Sequence, residues 1–132
     1  MTCRGVRGAI SVQDDSEEAI IAATRRLLEQ IVAANDIRAE NVAGVVFTAT
    51  PDLSATYPAR AARQMGWNHV PLLCSQEMVV IDGLPRCVRV LVLWNTECAP
   101  EHIQHIYLDD ARVLRPDLTT RHFDPSTGSF GI

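Results

Sequence analysis

The chain has 132 residues and a mass of 14.6 kDa, a length that suits a single domain with its own hydrophobic core. Its 47% hydrophobic and 21% charged residues exclude a disordered chain, a collagen-like fibre and a coiled coil. The net charge of −4 argues against a nucleic-acid-binding protein, because such proteins usually carry a basic face. With no apolar run long enough to cross a membrane and no apolar signal-peptide core, the sequence predicts a cytoplasmic protein.

Strands and helices alternate along the first half of the chain. A strand predicted at 3–12 is followed by an amphipathic helix at 17–34, in which apolar residues recur with helical spacing. A second strand at 41–48 is almost continuously apolar, which is typical of a strand buried on both faces or at an interface. Pro58 suits the first turn of a short helix that we expect to end near residue 65.

The second half of the chain is richer in strand-forming residues. Strands are predicted at 68–74 and 78–81, and the clearest strand signal, CVRVLVLW, lies at 87–94. We also expect a turn at 82–83, a polar turn or short helix at 96–105, and short extended pieces at 106–108 and 111–114. These elements predict a two-layer α+β domain with a mixed sheet. The apolar pattern is lost from Arg115 onward, which predicts a mobile C-terminal tail. The resemblance described below places the end of the single domain at residue 118 and the tail at 119–132.

Arginine supplies all 12 basic side chains, because the chain contains no lysine. Arginine suits bidentate binding of carboxylate or phosphate, so its distribution bears on function. Four pairs three residues apart therefore indicate either a small anionic ligand or clusters of surface salt bridges: Arg4/Arg7, Arg60/Arg63, Arg86/Arg89 and Arg112/Arg115.

Two charged residues stand in apolar surroundings, Arg89 inside the strand at 87–94 and Glu77 between the segments VPLLC and MVVI. Burying a charge is costly unless an opposite charge meets it. Three arrangements satisfy this condition. Arg89 binds an anionic ligand, it forms a structural ion pair with Glu77, or it lies on the solvated face of an edge strand.

One cluster has metal-like spacing, namely Cys98, His102 and His105. A structural zinc site requires four ligands and usually contains a close cysteine pair, which this sequence lacks. Two histidines on an exposed turn explain the cluster better. We expect the four cysteines to be reduced.

Five segments, taken together in order and spacing, resemble the small monofunctional trimeric class of chorismate mutase. They cover the chain from Arg4 to Leu118 and comprise RGVRGAISV at 4–12, TATPDLSATYPARAAR at 48–63, GWNHVPLLCSQEM at 66–78, GLPRCVRVL at 83–91 and HIYLDDARVLRPDL at 105–118. The resemblance implies three α+β subunits whose sheets form a barrel-like homotrimer, with three active sites between subunits.

The activity implied by the resemblance is the rearrangement of chorismate to prephenate in aromatic amino acid biosynthesis. It implies an isomerase with chorismate as its small-molecule partner, no cofactor or metal, and no nucleic acid or membrane as partner. Two alternatives remain open. One is a non-catalytic trimeric α+β module that binds a small dicarboxylate, and the other is a structural oligomer in which Arg89 and Glu77 neutralise each other.

Three residues match the family's catalytic positions. The resemblance implies that Arg89 stabilises the negative charge on the ether oxygen of the breaking C–O bond. It implies that Arg7 binds a substrate carboxylate near the same oxygen, and that Glu77 accepts a hydrogen bond from the ring hydroxyl.

The resemblance also implies ten substrate-binding residues. Tyr107 would hydrogen-bond the carboxylate held by Arg7, the backbone of Cys74 would flank the ring hydroxyl, and Arg63 and Arg115 would lie at the mouth. The pocket or its rim would further include Tyr57, Ala59, Arg60, Leu72, Leu73 and Leu114. Three of these depart from the family pattern, because Tyr57, Arg60 and Leu73 replace phenylalanine, lysine and threonine.

Overall fold

A five-stranded mixed sheet organises the structure, a computed structural model that describes residues 1–119, 122–124 and 129–131, with side chains through residue 117. The strand order is β3-β2-β4-β1-β5. β4 is antiparallel to both neighbours, whereas β1/β5 and β2/β3 are parallel pairs, so the predicted mixed sheet is confirmed. The strands are β1 (Thr2–Ser11), β2 (Val42–Ala49), β3 (Leu72–Gln76), β4 (Cys87–Thr96) and β5 (Ile106–Leu108).

Helices cover one face of this sheet. These are the α-helices α1 (Glu17–Asn35) and α2 (Ala59–Gln64). Short 3-10 helices lie at Ala39–Asn41, Pro100–His102 and Asp109–Leu114, and the last of these packs through Ala111 against Ala9 and Cys87 on the opposite face. The Ser16 side chain caps α1 by accepting a hydrogen bond from the backbone of Ala19, and Asp36 ends the helix in a left-handed conformation. The predicted first helix is therefore confirmed to within a residue.

The hydrophobic core lies between α1 and the sheet. Alternation along the strands sends every second side chain towards the helix, and the interface is fully buried. Its largest members include Ile10, Ile20, Leu27, Ile31 and Phe47. The opposite face of the sheet is partly open in one chain, because Leu73 on it is 63% exposed whereas Ala9 is buried in a cluster with Ala111. These two layers confirm the predicted α+β class.

Two predicted strand segments are wrong, and the strand predicted at 68–74 begins only at Leu72, as β3. The segment 78–81 is irregular, and its four apolar side chains are exposed instead of paired in the sheet. The segment 111–114 belongs to the 3-10 helix Asp109–Leu114, because Asp109 reverses the chain with a φ of 54° and Ser11 Oγ accepts a hydrogen bond from the backbone of Asp110. Short apolar runs therefore misled the sequence-based assignment at both places.

The C-terminal segment contains secondary structure that the sequence pattern did not indicate. A short helix, α3, covers Pro116–Thr119, and β6 (His122–Asp124) pairs with β7 (Ser129–Gly131) in an antiparallel ladder. The other residues of the 119–132 tail lie outside the described residues, and its mobility stays a prediction. Across the described ranges, no helix combines the length and apolarity needed to cross a membrane.

Gly8 marks the tightest contact between β1 and its neighbours. A Cβ atom there would lie 2.8 Å from Ile31 Cδ1 and 3.0 Å from the carbonyl oxygen of Ile106. We expect Gly8→Ala to lower the free energy of unfolding by about 1–3 kcal/mol, because strand pairing fixes the carbonyl. Urea unfolding at a fixed protein concentration measures this change.

Gly44→Ala is the matched control for this substitution. A Cβ at Gly44 would meet its nearest atom, the carbonyl oxygen of Pro71, at an ordinary 3.5 Å. We expect this variant to remain within about 1 kcal/mol of wild type. Equal stability of the two variants would contradict the proposed crowding at Gly8.

Candidate active site

One row of residues crosses the open face of the sheet. Ser75 on β3 lies opposite Thr48 on β2, which lies opposite Arg89 on β4. Arg89 in turn lies opposite Ala9 on β1, and Ala9 lies opposite Tyr107 on β5. Because residues directly opposite each other share a face, Thr48, Arg89 and Tyr107 belong to one surface. Gly8, the neighbour of Ala9 on β1, faces Leu27 and Ile31 of α1. Because successive residues of a strand point to opposite faces, Ala9 and its row lie on the surface turned away from α1.

Arg89 and Glu77 form an ion pair on this surface. Arg89 Nε lies 3.1 Å from Glu77 Oε2, and the two side chains are 46% and 23% exposed respectively. Thr48 Oγ1 donates a second hydrogen bond to the same oxygen over 2.6 Å. The backbone N–H of Glu77 donates to the carbonyl of Ala49, which fixes the segment after β3. Glu77 is therefore held from both β2 and β4.

The geometry decides between the arrangements suggested for Arg89. The ion pair with Glu77 is present, whereas the edge-strand alternative is wrong because β4 is the central strand of five. Arg89 is nevertheless about half exposed, because it projects from the open face and not into the core. An ion pair and a ligand contact can therefore coexist at this guanidinium.

Arg7 lies close to Arg89 on the same face. Arg7 is opposite Leu91, two residues from Arg89 along β4, and such diagonal neighbours are about 7–8 Å apart. The Arg7 backbone N–H donates to His105 Nδ1 over 2.9 Å. Burial lowers the pKa of His105, and the charges of Arg7 and Arg115 lower it further. The imidazole beside Arg7 is therefore neutral at neutral pH.

A small apolar cluster covers the open face of the sheet between Arg89 and Tyr107. Ala9, Cys87 and Ala111 are buried there, and Tyr107 and Leu114 pack against them. Burial raises the pKa of the Cys87 thiol to about 11, so this cysteine is a packing residue without thiolate character.

The remaining predicted residues surround α2 and β3. Ala59 is buried in the main core, whereas Tyr57 is 68% exposed. Arg60 pairs with Glu17 of α1 and also donates to Thr56 Oγ1. Arg63 and Leu72 line a cleft of about 170 Å³ together with Trp67, Asn68 and Val70.

Two further predicted site residues, Leu73 and Cys74, are neighbours on β3 and point to opposite faces of the sheet. The side chain of Cys74 packs against the main core, so only its backbone could approach a ligand on the open face. Leu73 points to that face, in the row that runs through Val46 and Leu91 to Arg7. Three strand spacings separate Leu73 from Arg7, which amounts to roughly 14 Å.

The predicted site residues thus form two groups within one chain. The first group, on the open face, comprises Arg7, Glu77, Arg89, Tyr107 and, on the underlying cluster, Leu114. The second group contains α2, which packs on the helical side of the sheet through its buried alanines and Arg60. Since the sheet lies between α2 and Arg89, a small ligand cannot contact both within one chain.

Arg115 is engaged by its own neighbour. Its Nη2 atom lies 2.9 Å from Asp117 Oδ2, and this hydrogen bond raises the pKa of Arg115. The charge of Arg115 is therefore shared with a carboxylate next to the position predicted for the mouth of the site.

Sequence reasoning missed three residues of the candidate site. Thr48 holds Glu77, Ala9 lies between Arg89 and Tyr107, and His105 contacts Arg7. Thr48 and Ala9 could have been suspected from the segments TATPDL and RGAIS, but strand register was needed to place them. His105 was predicted to lie on an exposed turn with His102, but it is half-buried and accepts a hydrogen bond from Arg7. Within the part of the chain that the structure describes, no three His, Cys, Asp or Glu side chains are grouped to hold a metal ion.

Comparison with known proteins gives a consistent result. Residues 3–118 match the family model for chorismate mutase type I. The chain is 51% identical to chorismate mutase AroH of Thermus thermophilus over 116 residues, which cover 87% of this chain and 95% of that protein. It is 45% identical to chorismate mutase AroH of Bacillus subtilis over 120 residues, covering 90% and 94% of the two chains.

A solved structure supports the same assignment. Chorismate mutase from Clostridium thermocellum superimposes with a TM-score of 0.82 at 37% identity, covering 83% of this chain and 98% of that one. The chain therefore belongs to the chorismate mutase type I family and is an isomerase of that type in aromatic amino acid biosynthesis.

Proposed function

We propose that this enzyme converts chorismate to prephenate by electrostatic stabilisation, with the Arg89 guanidinium facing the ether oxygen. That oxygen gains negative charge as its C–O bond breaks, so a fixed cation stabilises the transition state more than the ground state. The observation that carries the proposal is the position of Arg89 on the central strand of the open face, where its side chain is 46% exposed although its Nε lies 3.1 Å from Glu77 Oε2. A guanidinium with this exposure can still meet a ligand.

Arg7 and Tyr107 are proposed to bind a substrate carboxylate. Both lie on the same face as Arg89, Arg7 diagonally across the β1/β4 pair and Tyr107 beyond the small residue Ala9. Two cations and a phenol in this arrangement suit a dianion whose ether oxygen lies near its carboxylates. Holding the compact conformer in this cradle removes much of the entropic cost of the rearrangement.

Glu77 is proposed to accept a hydrogen bond from the ring hydroxyl of the substrate. Arg89 and Thr48 both contact Oε2, which leaves Oε1 as an acceptor. The backbone at Cys74 precedes Glu77 on β3 and would flank the same hydroxyl.

The second group of residues is proposed to complete the site of a neighbouring subunit in a homotrimer. The sheet separates α2 from Arg89 within one chain, so Tyr57, Arg60 and Arg63 can serve the site only across an interface. The exposed apolar side chains of the open face and of the segment 78–81 are suited to such an interface. Of the rim arginines, Arg60 and Arg115 already have carboxylate partners, which makes Arg63 the stronger candidate for attracting the dianion.

Arg89→Met tests the proposed role of the guanidinium. This change keeps much of the side-chain volume, so we expect a folded protein whose kcat falls about 100- to 1000-fold, since one preorganised donor is lost. Arg89→Lys should also fail, because a point charge cannot reproduce the planar fork. Loss of the chorismate ultraviolet absorbance at saturating substrate measures kcat.

Arg25→Met is the matched control, because Arg25 forms an exposed pair with Glu29 on α1. We expect wild-type kcat for it. Turnover by folded Arg89→Met within about threefold of wild type would contradict the proposed contact and favour a purely structural ion pair with Glu77.

We expect activity to survive EDTA without any added cofactor, since the proposed rearrangement is unimolecular and uses only side chains of the protein. Turnover before and after dialysis against the chelator measures this. Loss of activity that zinc restores would contradict the prediction and return attention to Cys98, His102 and His105.

We expect a trimer in solution at micromolar concentration, with activity that depends on assembly. Light scattering gives the mass, and dilution coupled to a turnover assay tests the dependence. A fully active monomer would refute the shared site.

A further inference from the structure

The side chain of His105 accepts a backbone hydrogen bond from β1 at a position that strand β5 is too short to reach. The parallel ladder pairs Gly8 with Ile106, Ala9 with Tyr107 and Ile10 with Leu108. Arg7 lies just before this ladder, and its N–H donates to His105 Nδ1 over 2.9 Å. β4 pairs with the other side of β1 at Arg7, through Leu91. On the β5 side, an imidazole nitrogen and not a strand carbonyl therefore accepts the Arg7 N–H.

The residue next to His105 is itself anchored to α1. Asn35, the last residue of α1, donates from Nδ2 to the carbonyl of Gln104 over 2.9 Å. Its Oδ1 accepts the Gln104 backbone N–H over 2.8 Å. These two hydrogen bonds hold the backbone that leads into β5. The backbone next to the half-buried His105 side chain is therefore fixed.

We propose that His105 is a positioning residue for the rearrangement, which it serves through Arg7. The hydrogen bond from the Arg7 backbone to Nδ1 sets where the Arg7 guanidinium meets a substrate carboxylate. The inference rests on the role proposed above for Arg7. Misplacing a substrate-orienting group by about 1 Å can cost as much as 100-fold in rate, so losing the anchor on the β5 side of Arg7 matters even though the β4 side remains paired.

The contact requires a neutral imidazole, and its surroundings favour that form. The charged groups acting on His105 are Arg7 on β1 and Arg115 after the 3-10 helix Asp109–Leu114, both of them cations. On the α1 side, Asn35 presents only an uncharged amide to the preceding residue. Protonation would convert Nδ1 from an acceptor into a donor and add a third positive charge beside the two arginines.

Three variants test the proposal. His105→Leu removes the acceptor, and we expect kcat/KM for chorismate to fall about tenfold or more. In His105→Asn the amide oxygen Oδ1 occupies the position of Nδ1 relative to Cγ, so we expect kcat/KM within about threefold of wild type. His102→Leu is the matched control, since His102 is exposed on the neighbouring 3-10 helix, and it should behave as wild type.

The pH profile separates positioning from a general structural role. As the pH falls below the ordinary histidine value of 6.5, wild type should lose kcat/KM relative to His105→Asn, because only the wild-type acceptor can be protonated. Both proteins share Glu77 and the substrate carboxylates, so the ratio of the two profiles isolates His105. Circular dichroism at each pH verifies that both remain folded.

The outcomes are distinct. Loss of activity in His105→Leu with rescue in His105→Asn, and the diverging acid limbs, would support the proposal. Unchanged kcat/KM in folded His105→Leu, or parallel acid limbs for wild type and His105→Asn, would overturn it. If His105→Leu does not fold, the pH comparison decides alone. Absence of chorismate turnover in wild type would instead contradict the proposed function, independently of His105.

Discussion

A guanidinium on the central strand of a five-stranded sheet is the constraint on which the candidate site depends. A strand in this position pairs on both sides, so its backbone is fixed and its side chains can point only to one face or the other. Val88 and Val90 take the core face, and Arg89 between them must take the open one. The carboxylate of Glu77 and the hydroxyl of Thr48 gather around it there. A cation so placed is rigid, which is what electrostatic preorganisation requires.

The two faces of the sheet differ in composition, because successive side chains of a strand point to opposite faces. On the helical side, alternate residues of β1, β2 and β4 make a closed apolar core with α1. On the open side, the intervening residues of the same strands combine charged groups with exposed leucines such as Leu73. In a single chain, the surface that carries the proposed catalytic charges therefore also leaves apolar side chains exposed. In the proposed trimer, one association would cover the leucines and complete the substrate site.

The arginine-rich composition has no single explanation. Arg25, Arg38 and Arg60 form ordinary exposed salt bridges with nearby glutamates, and such pairs contribute little to stability. Arg89 also has a carboxylate partner, but its position on the central strand separates it from them. The spacing of arginines along the chain could not distinguish these cases, since the partners of Arg60 and Arg89 come from other elements and the position of β4 in the sheet is set by strand order.

Local pattern was enough to determine the long helix, the four main strands and the α+β class. Each of these rests on a periodicity that several residues share, and α1 in addition has a clear cap at Ser16. The family resemblance, carried by short segments with even spacing, gave the activity and the candidate residues. Composition alone predicted only a globular domain rich in arginine.

Tertiary structure decided what depends on contacts between distant segments. Strand order placed β4 at the centre, and register aligned Thr48, Arg89, Ala9 and Tyr107 in one row. Because the β1/β5 ladder begins only at Gly8, the backbone N–H of Arg7 donates to the His105 side chain instead. Short apolar runs such as 78–81 were misassigned, because without a neighbouring strand to pair with, their β propensity is not realised. Hydrogen-bond partners across 29 or 98 residues of sequence, as for Glu77 and His105, leave no local signal from which they could be predicted.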